Sequence, residues 1–237
     1  MQNKTTKFHP ILFSTPMVQA IMNGTKTQTR RVIKYPLQLK GWLVSIGEGK
    51  EPPPIEFCQY EVGDVLWVRE TIEYFSADYN PHDKSLNKTS SVEINYKATN
   101  NQGLNKVNVT GILALKALID IEQCKKQGKL HKWKPSIFMP KEACRTFLKI
   151  KSIRAERLQD ISEVDAKAEG AHFLYYKNGS MIQENFKNWD NYYKDKASYK
   201  DGFYFIWHYI NGVESWKANP FVWVYEFEKI EKPLDFI

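Results

Sequence analysis

Apolar positions in this chain fall into short blocks separated by polar, breaker-rich connections, and the spacing inside each block predicts its element. Residues 11–22 predict a short strand and then a helix opening at Pro16, with Met17, Ile21 and Met22 at helical spacing. Asn23-Gly24 predicts the helix stop. Extended chain should follow, because Thr27, Thr29, Val32 and Ile33 are β-branched. Gly63-Asp64 predicts a turn into a strand over 65–69. Residues 92–96, 146–154 and 222–227 also alternate or are β-rich, and predict strands. Residues 113–124 predict a helix by propensity. Ser162 predicts an N-cap, with Asp165 three residues on and Gly170 as the stop. Phe186, Trp189 and Tyr193, then Phe203, Ile206, Trp207 and Ile210, predict helix within 182–211. The polar stretches 76–91 and 100–108 predict loops, and the prolines of 133–140 predict extended chain. There is no internal repeat and no regular βαβ cycle, so the expected class is α+β built around a closed barrel.

With 42% hydrophobic and 26% charged residues in 237, a folded chain is expected rather than a disordered one. Aromatic residues make up 14%, which suits a barrel core and also base-stacking surfaces. The formal net charge of +7 favours a polyanionic partner, most simply nucleic acid. Lys125, Lys126, Lys129, Lys132 and Lys134 cluster as a solvated loop or a phosphate-contacting arm. Cys58, Cys124 and Cys144 are far apart and form no CxxC pair, so reduced thiols are expected and a thiolate zinc site is not. No apolar stretch approaches the roughly 20 residues that span a bilayer. The first ten residues carry no apolar signal core. The expectation is a cytoplasmic protein with no membrane partner, no metal and no cofactor.

Candidate chemistry concentrates in Gly24-Thr25-Lys26-Thr27-Gln28-Thr29-Arg30-Arg31. In a regular strand Lys26, Gln28 and Arg30 share one side and Thr27, Thr29 and Arg31 the other. A turn just after the helix would instead gather Lys26, Thr29 and Arg31. Two cations and a hydroxyl at a chain reversal can bind and attack an electrophile, and a plain basic surface strand is the alternative. Glu169 stands in the last helical turn before Gly170, where its charge opposes the helix dipole. Trp67, Arg69 and Glu70 form a second group. The Trp face can stack a base and the Arg fork can grip phosphate, though a barrel strand also uses a buried Trp. His172 and His208 have no partner at metal-ligand spacing.

The pattern G-x-K-x-x-T-x-R after a short apolar helix resembles the signature of the ASCH domain, a PUA-like β-barrel related to RNA-binding modules. Residues 62–70, 157–170 and 219–227 resemble three further blocks of that family in the same order, covering roughly residues 10–230. The whole chain is most similar to the longer ASCH proteins of bacterial and phage genomes. The resemblance implies one ASCH-like domain over 1–237, a PUA-like closed barrel with flanking and appended helices, and an insertion at about 71–135. At the motif level Lys26, Thr29 and Glu169 match the catalytic lysine, threonine and acidic residue of the amidohydrolases that deacetylate N4-acetylcytidine. Arg31, Trp67, Arg69 and Glu70 are then the candidate substrate or RNA contacts. Three outcomes stay open: a basic cleft for RNA or a modified nucleoside that also hydrolyses its amide, a non-catalytic RNA-binding accessory module, and a ribonuclease. Because none of Lys26, Thr29 and Glu169 belongs to an apolar pattern, their replacement is expected to leave the fold intact.

Overall fold

In a computed structural model of the chain, residues 6–34, 51–81, 90–99, 105–129, 132–171, 174–177, 180–183 and 198–236 are described. The described strands are β1 (Phe8–Leu12), β2 (Gln28–Val32), β3 (Val65–Arg69), β4 (Ile72–Asp78), β5 (Ser90–Tyr96), β6 (Asn105–Val109), β7 (Phe147–Arg157), β8 (Leu174–Lys177), β9 (Ser180–Gln183) and β10 (Phe221–Ile230). The described helices are α1 (Thr15–Met22), α2 (Gly111–Lys126), α3 (Glu163–Ala168), α4 (Tyr199–Asn211) and α5 (Val213–Lys217). The fold is α+β. It divides into two compact units, each discontinuous in sequence: Met1–Gln19, Val65–Leu148 and Lys229–Ile237 in the first, Ala20–Asp64 and Lys149–Glu228 in the second.

In the first unit β1 runs parallel to β3, with Phe8 opposite Val65 and Leu12 opposite Arg69. A separate antiparallel sheet follows the order β4-β5-β6. Helix α2 packs on it through Ala114 and Ala117, against Ile72, Val92, Ile94 and Val109. Residues 71–135 therefore supply a sheet and its covering helix. Two loop expectations fail here. Strand β4 continues to Asp78, and β6 begins at Asn105 within 100–108 and runs on to Val109. In β6, Val107 and Val109 turn inward while Lys106 and Asn108 face solvent, and pairing with β5 overrides the poor strand propensity of asparagine. Residues 136–138 form a 3-10 turn after Pro135 rather than extended chain.

In the second unit β7, β10 and β2 lie side by side. Strand β10 is antiparallel to β2, with Gln28 opposite Glu226, Thr29 opposite Tyr225, Arg30 opposite Val224 and Arg31 opposite Trp223. Alternation gives this pair two distinct faces. Gln28, Arg30, Val222, Val224 and Glu226 occupy one; Thr29, Arg31, Trp223 and Tyr225 occupy the other. On the first face Val222 and Val224 pack with Leu158, Ile161, Ala166, Phe203 and Trp207, which brings in α3 and α4. The helix expected within 182–211 is present as α4, with Phe203 and Trp207 buried. Phe186, Trp189 and Tyr193 lie outside the described residues. No closed barrel is found among the described residues. No described helix is long and apolar enough to cross a membrane.

Candidate functional site

The reversal after α1 begins at Gly24, whose φ of 76° is the left-handed conformation glycine tolerates. The Thr25 and Lys26 amides both donate to Ala20 O, at 2.9 and 3.1 Å, folding the chain back under the helix end. Lys26 then makes an antiparallel bridge with Glu169, and Thr27 N donates to Ala168 O at 2.8 Å. Helix α3 presents Glu169 from the other side. Ser162 caps the helix, its Oγ accepting from Asp165 N at 3.1 Å. Gly170 closes it at φ 78°, and a Cβ there would stand 3.1 Å from Lys26 Cβ and 3.2 Å from Ala20 Cβ. Only glycine meets both demands, so Gly170 sets how closely the two segments approach.

Lys26 Nζ donates to Glu169 Oε2 at 2.7 Å, to Glu169 O at 2.9 Å and to Gln28 O at 2.8 Å. Both residues are buried, with 2% and 7% of their surface exposed. The second carboxylate oxygen, Glu169 Oε1, accepts from Arg30 Nη1 at 3.2 Å. Two cations thus hold one carboxylate at the helix C-terminus, far outweighing the few tenths of a kcal/mol of opposition from the dipole. Arg30 has further partners in Glu156 Oε1, 3.1 Å from its Nε, and Asp165 Oδ2, 3.3 Å from its Nη2. With its amide oxygen turned to the guanidinium, Gln28 accepts from Arg30 Nη1 at 2.7 Å and donates to Asp165 Oδ1 at 3.1 Å. Arg154 continues the chain of charges to Glu156, Asp165 and Glu226. Burial drives the Lys26 ammonium below the usual lysine range. Glu169 opposes that shift, and the Arg31 and Arg30 guanidiniums add to it.

The opposite face of β2 carries Thr29 and Arg31. Thr29 is 3% exposed, and no hydrogen bond of its hydroxyl is seen among the described residues. Arg31 is half-buried. Desolvation pushes its guanidinium below the ordinary value, against the pull of Glu169, Tyr60 and Tyr225. The Tyr60 and Tyr225 rings are 5.0 Å apart, and Tyr225 Oη lies 3.4 Å from Cys58 Sγ. Burial, with Cys58 beside it, drives the Tyr225 phenol far above its ordinary value.

Lys26 and Glu169 therefore meet directly, and Arg31 acts on both through space. The guanidinium that touches Glu169 is Arg30, which the sequence reading passed over. Strand alternation held the signal for it, since Arg30 shares the Lys26 and Gln28 side. Glu156, Tyr60 and Tyr225 carry no comparable signal. Asp165 is visible in the sequence only as a capping residue.

Trp67, Arg69 and Glu70 belong to the first unit. Trp67 is buried, its ring 6.1 Å from that of Phe236. Arg69 lies over the Trp67 ring at 5.6 Å and donates to Ile137 O, while its Nε is buried without a partner. Glu70 is fully buried and accepts two bonds from Arg145, at 2.9 and 2.8 Å, with that guanidinium stacked 3.8 Å over Tyr96. Lys125, Lys126, Lys129 and Lys132 are exposed, whereas Lys134 pairs with Asp120. His208 sits beside the Tyr204 phenol, 3.5 Å away, and His172 lies outside the described residues. Cys58, Cys124 and Cys144 are free thiols. Among the described residues no three His, Cys, Asp or Glu side chains gather as metal ligands. This chain matches no family model, no curated protein and no solved structure.

Proposed function

We propose that the chain binds RNA or a modified nucleoside at the Lys26–Glu169 site, on an ASCH-like, PUA-like framework, and hydrolyses the exocyclic amide of N4-acetylcytidine-type substrates. One observation carries this reading. Lys26 and Glu169, 143 residues apart, meet at 2.7 Å in a buried setting.

Thr29 Oγ attacks the acetyl carbonyl carbon and its proton passes by way of a water to Lys26, as the neutral amine, since Thr29 lies on the opposite face of β2. Burial favours that neutral form. Arg31 balances the oxyanion as it develops. The C–N bond breaks as the proton passes to N4, releasing cytidine and leaving an acetyl ester on Thr29. Water then cleaves the ester, acetate leaves, and a proton returns to Thr29 Oγ. Glu169 holds Lys26 in place through both protonation states.

The test is incubation with N4-acetylcytidine without added metal, following cytidine and acetate. Turnover should fall by about 10²–10⁴-fold when Lys26 is removed as base. Thr29 and Lys26 act as a unit, so the double variant should be little slower than either single one. Turnover that is unchanged in Lys26→Arg, a variant that cannot act as a neutral base, contradicts the assignment.

A second reading has its own support. Lys26 Nζ faces three acceptors, which together favour the ammonium. In that case the site binds without reacting. Single-stranded RNA would then bind with an affinity that falls steeply with salt and is weakened by Arg31→Ala. No cytidine would be released.

A further inference from the structure

We propose that Arg30 is a positioning residue that sets how strongly Glu169 holds Lys26, with Glu156 and Asp165 as its counterweight. Glu169 is divided between two cations, Oε2 to Lys26 at 2.7 Å and Oε1 to Arg30 at 3.2 Å. Arg30 is itself divided. The Arg30 side chain is fully buried, and its fork spans Glu156 on β7 and Asp165 and Glu169 on α3, with Gln28 beside it on β2. The Phe203 ring of α4 closes over it, 5.7 Å from Cζ. A guanidinium so enclosed cannot turn to solvent when one partner changes, so the change passes to the others. Drawn toward Glu156, Arg30 leaves Glu169 to Lys26. Drawn toward Glu169, it loosens the Lys26 pair.

Among the described residues, the charges facing this group come from β2, β7, α3 and β10. Lys26 meets Glu169, Arg31 and Arg30. Arg30 meets Glu156, Asp165 and Glu169, and Arg154 ties Glu156 and Asp165 on to Glu226 of β10. Glu156 touches Arg30, and Arg30 touches Glu169, so Arg30 links Glu156 to the Lys26 pair by direct contact. Arg30 lowers the proton affinity of Lys26 as a neighbouring cation and as a competitor for Glu169. This offsets the main obstacle to Lys26 as a base, the carboxylate at its side. The use of that effect in catalysis rests on the proposed amide hydrolysis; the coupling itself does not.

The experiment reads Lys26 without substrate. The protein is labelled at lysine Nζ, the Lys26 resonance is assigned by its loss in Lys26→Arg, and its titration midpoint is followed by NMR. Arg30→Gln should move the midpoint upward, because a cation is lost and Glu169 passes wholly to Lys26. Glu156→Gln should move it downward, because Arg30 turns to Glu169. Direct Coulomb action alone would also give opposite signs, so the deciding comparison is Glu156→Gln in the Arg30→Gln background, where the downward shift should disappear; a shift of equal size there overturns the proposal. A folded Glu156→Gln protein whose Lys26 midpoint is unmoved or raised overturns the proposal. Should Arg30→Gln fail to fold, Arg30→Lys takes its place: it keeps the charge without the fork and should leave the midpoint nearer to wild type than Glu156→Gln does. Absence of turnover on N4-acetylcytidine would sink the hydrolase reading and leave these titrations to stand or fall alone.

Discussion

Thr29 and Lys26 are both buried, yet the fold depends on them very differently. No hydrogen bond of the Thr29 hydroxyl is seen among the described residues, so Thr29→Val should remove none while keeping the shape of the side chain. Its stability in urea should stay within about 0.5 kcal/mol of wild type while turnover is lost. A larger destabilisation would mean that the hydroxyl is structural. Lys26 is half of a buried ion pair. Lys26→Met leaves Glu169 with Arg30 alone and should cost about 3–5 kcal/mol, read from the same denaturation midpoint. This corrects the expectation that replacing Lys26 or Glu169 leaves the fold untouched. Membership in an apolar pattern is one route into a core; a compensated charge network is another, and residue type alone does not reveal it.

At the scale of elements, Gly170 is where helix geometry and site geometry meet. Gly170→Ala puts a Cβ at positive φ and 3.1 Å from Lys26 Cβ. The left-handed backbone alone should cost about 1–2 kcal/mol. The added contact should also slow turnover at substrate saturation, and a variant with wild-type stability and rate would show that the approach is not tight. Much of this local architecture was legible in the sequence. Pro16, Asn23-Gly24, Ser162 with Asp165, and Gly170 act through neighbours a few residues away, and the structure places α1 and α3 between them. The β-rich runs at 65–69 and 222–227 likewise became strands. Strand β6 was not legible, because only its pairing to β5 makes Asn105–Val109 extended. Arg30 was missed for the same physical reason: its partners Glu156, Asp165 and Glu169 lie 126 to 139 residues away. Chain alternation gave the side on which Arg30 stands and nothing about what stands opposite.

Across the whole molecule, the buried phenols and thiol fix how stability responds to alkali. Burial raises the Tyr74 phenol to about 12 and the Cys144 thiol to about 12, and also drives Tyr96 and Tyr225 upward. Above the ordinary thiol and phenol values the unfolded chain sheds these protons while the folded chain keeps them. The folded state then binds more protons, so stability must fall as pH rises. Lys26 and Arg31 have the opposite sign, since their folded values lie below their unfolded ones, but they stand against five groups, Tyr60 being raised by burial as well. The urea midpoint should therefore drop between about pH 9 and 12, and a flat profile there would contradict the burial of these groups. At the acid end, Asp165 is raised by burial but lowered further by Arg154, Arg30 and the Ser162 hydrogen bond, leaving it below the usual carboxylate range. Its contribution is present above that range and is lost as pH falls through the lowered value.

The charge balance of +7 and the Lys26–Glu169 site lead to one decisive measurement. Wild-type protein and Thr29→Val, matched for stability, are incubated side by side with N4-acetylcytidine, and cytidine release is quantified against time. A hydrolytic site predicts steady release by the wild type and none above background by Thr29→Val. Equal release by both, or none by the folded wild type, contradicts it.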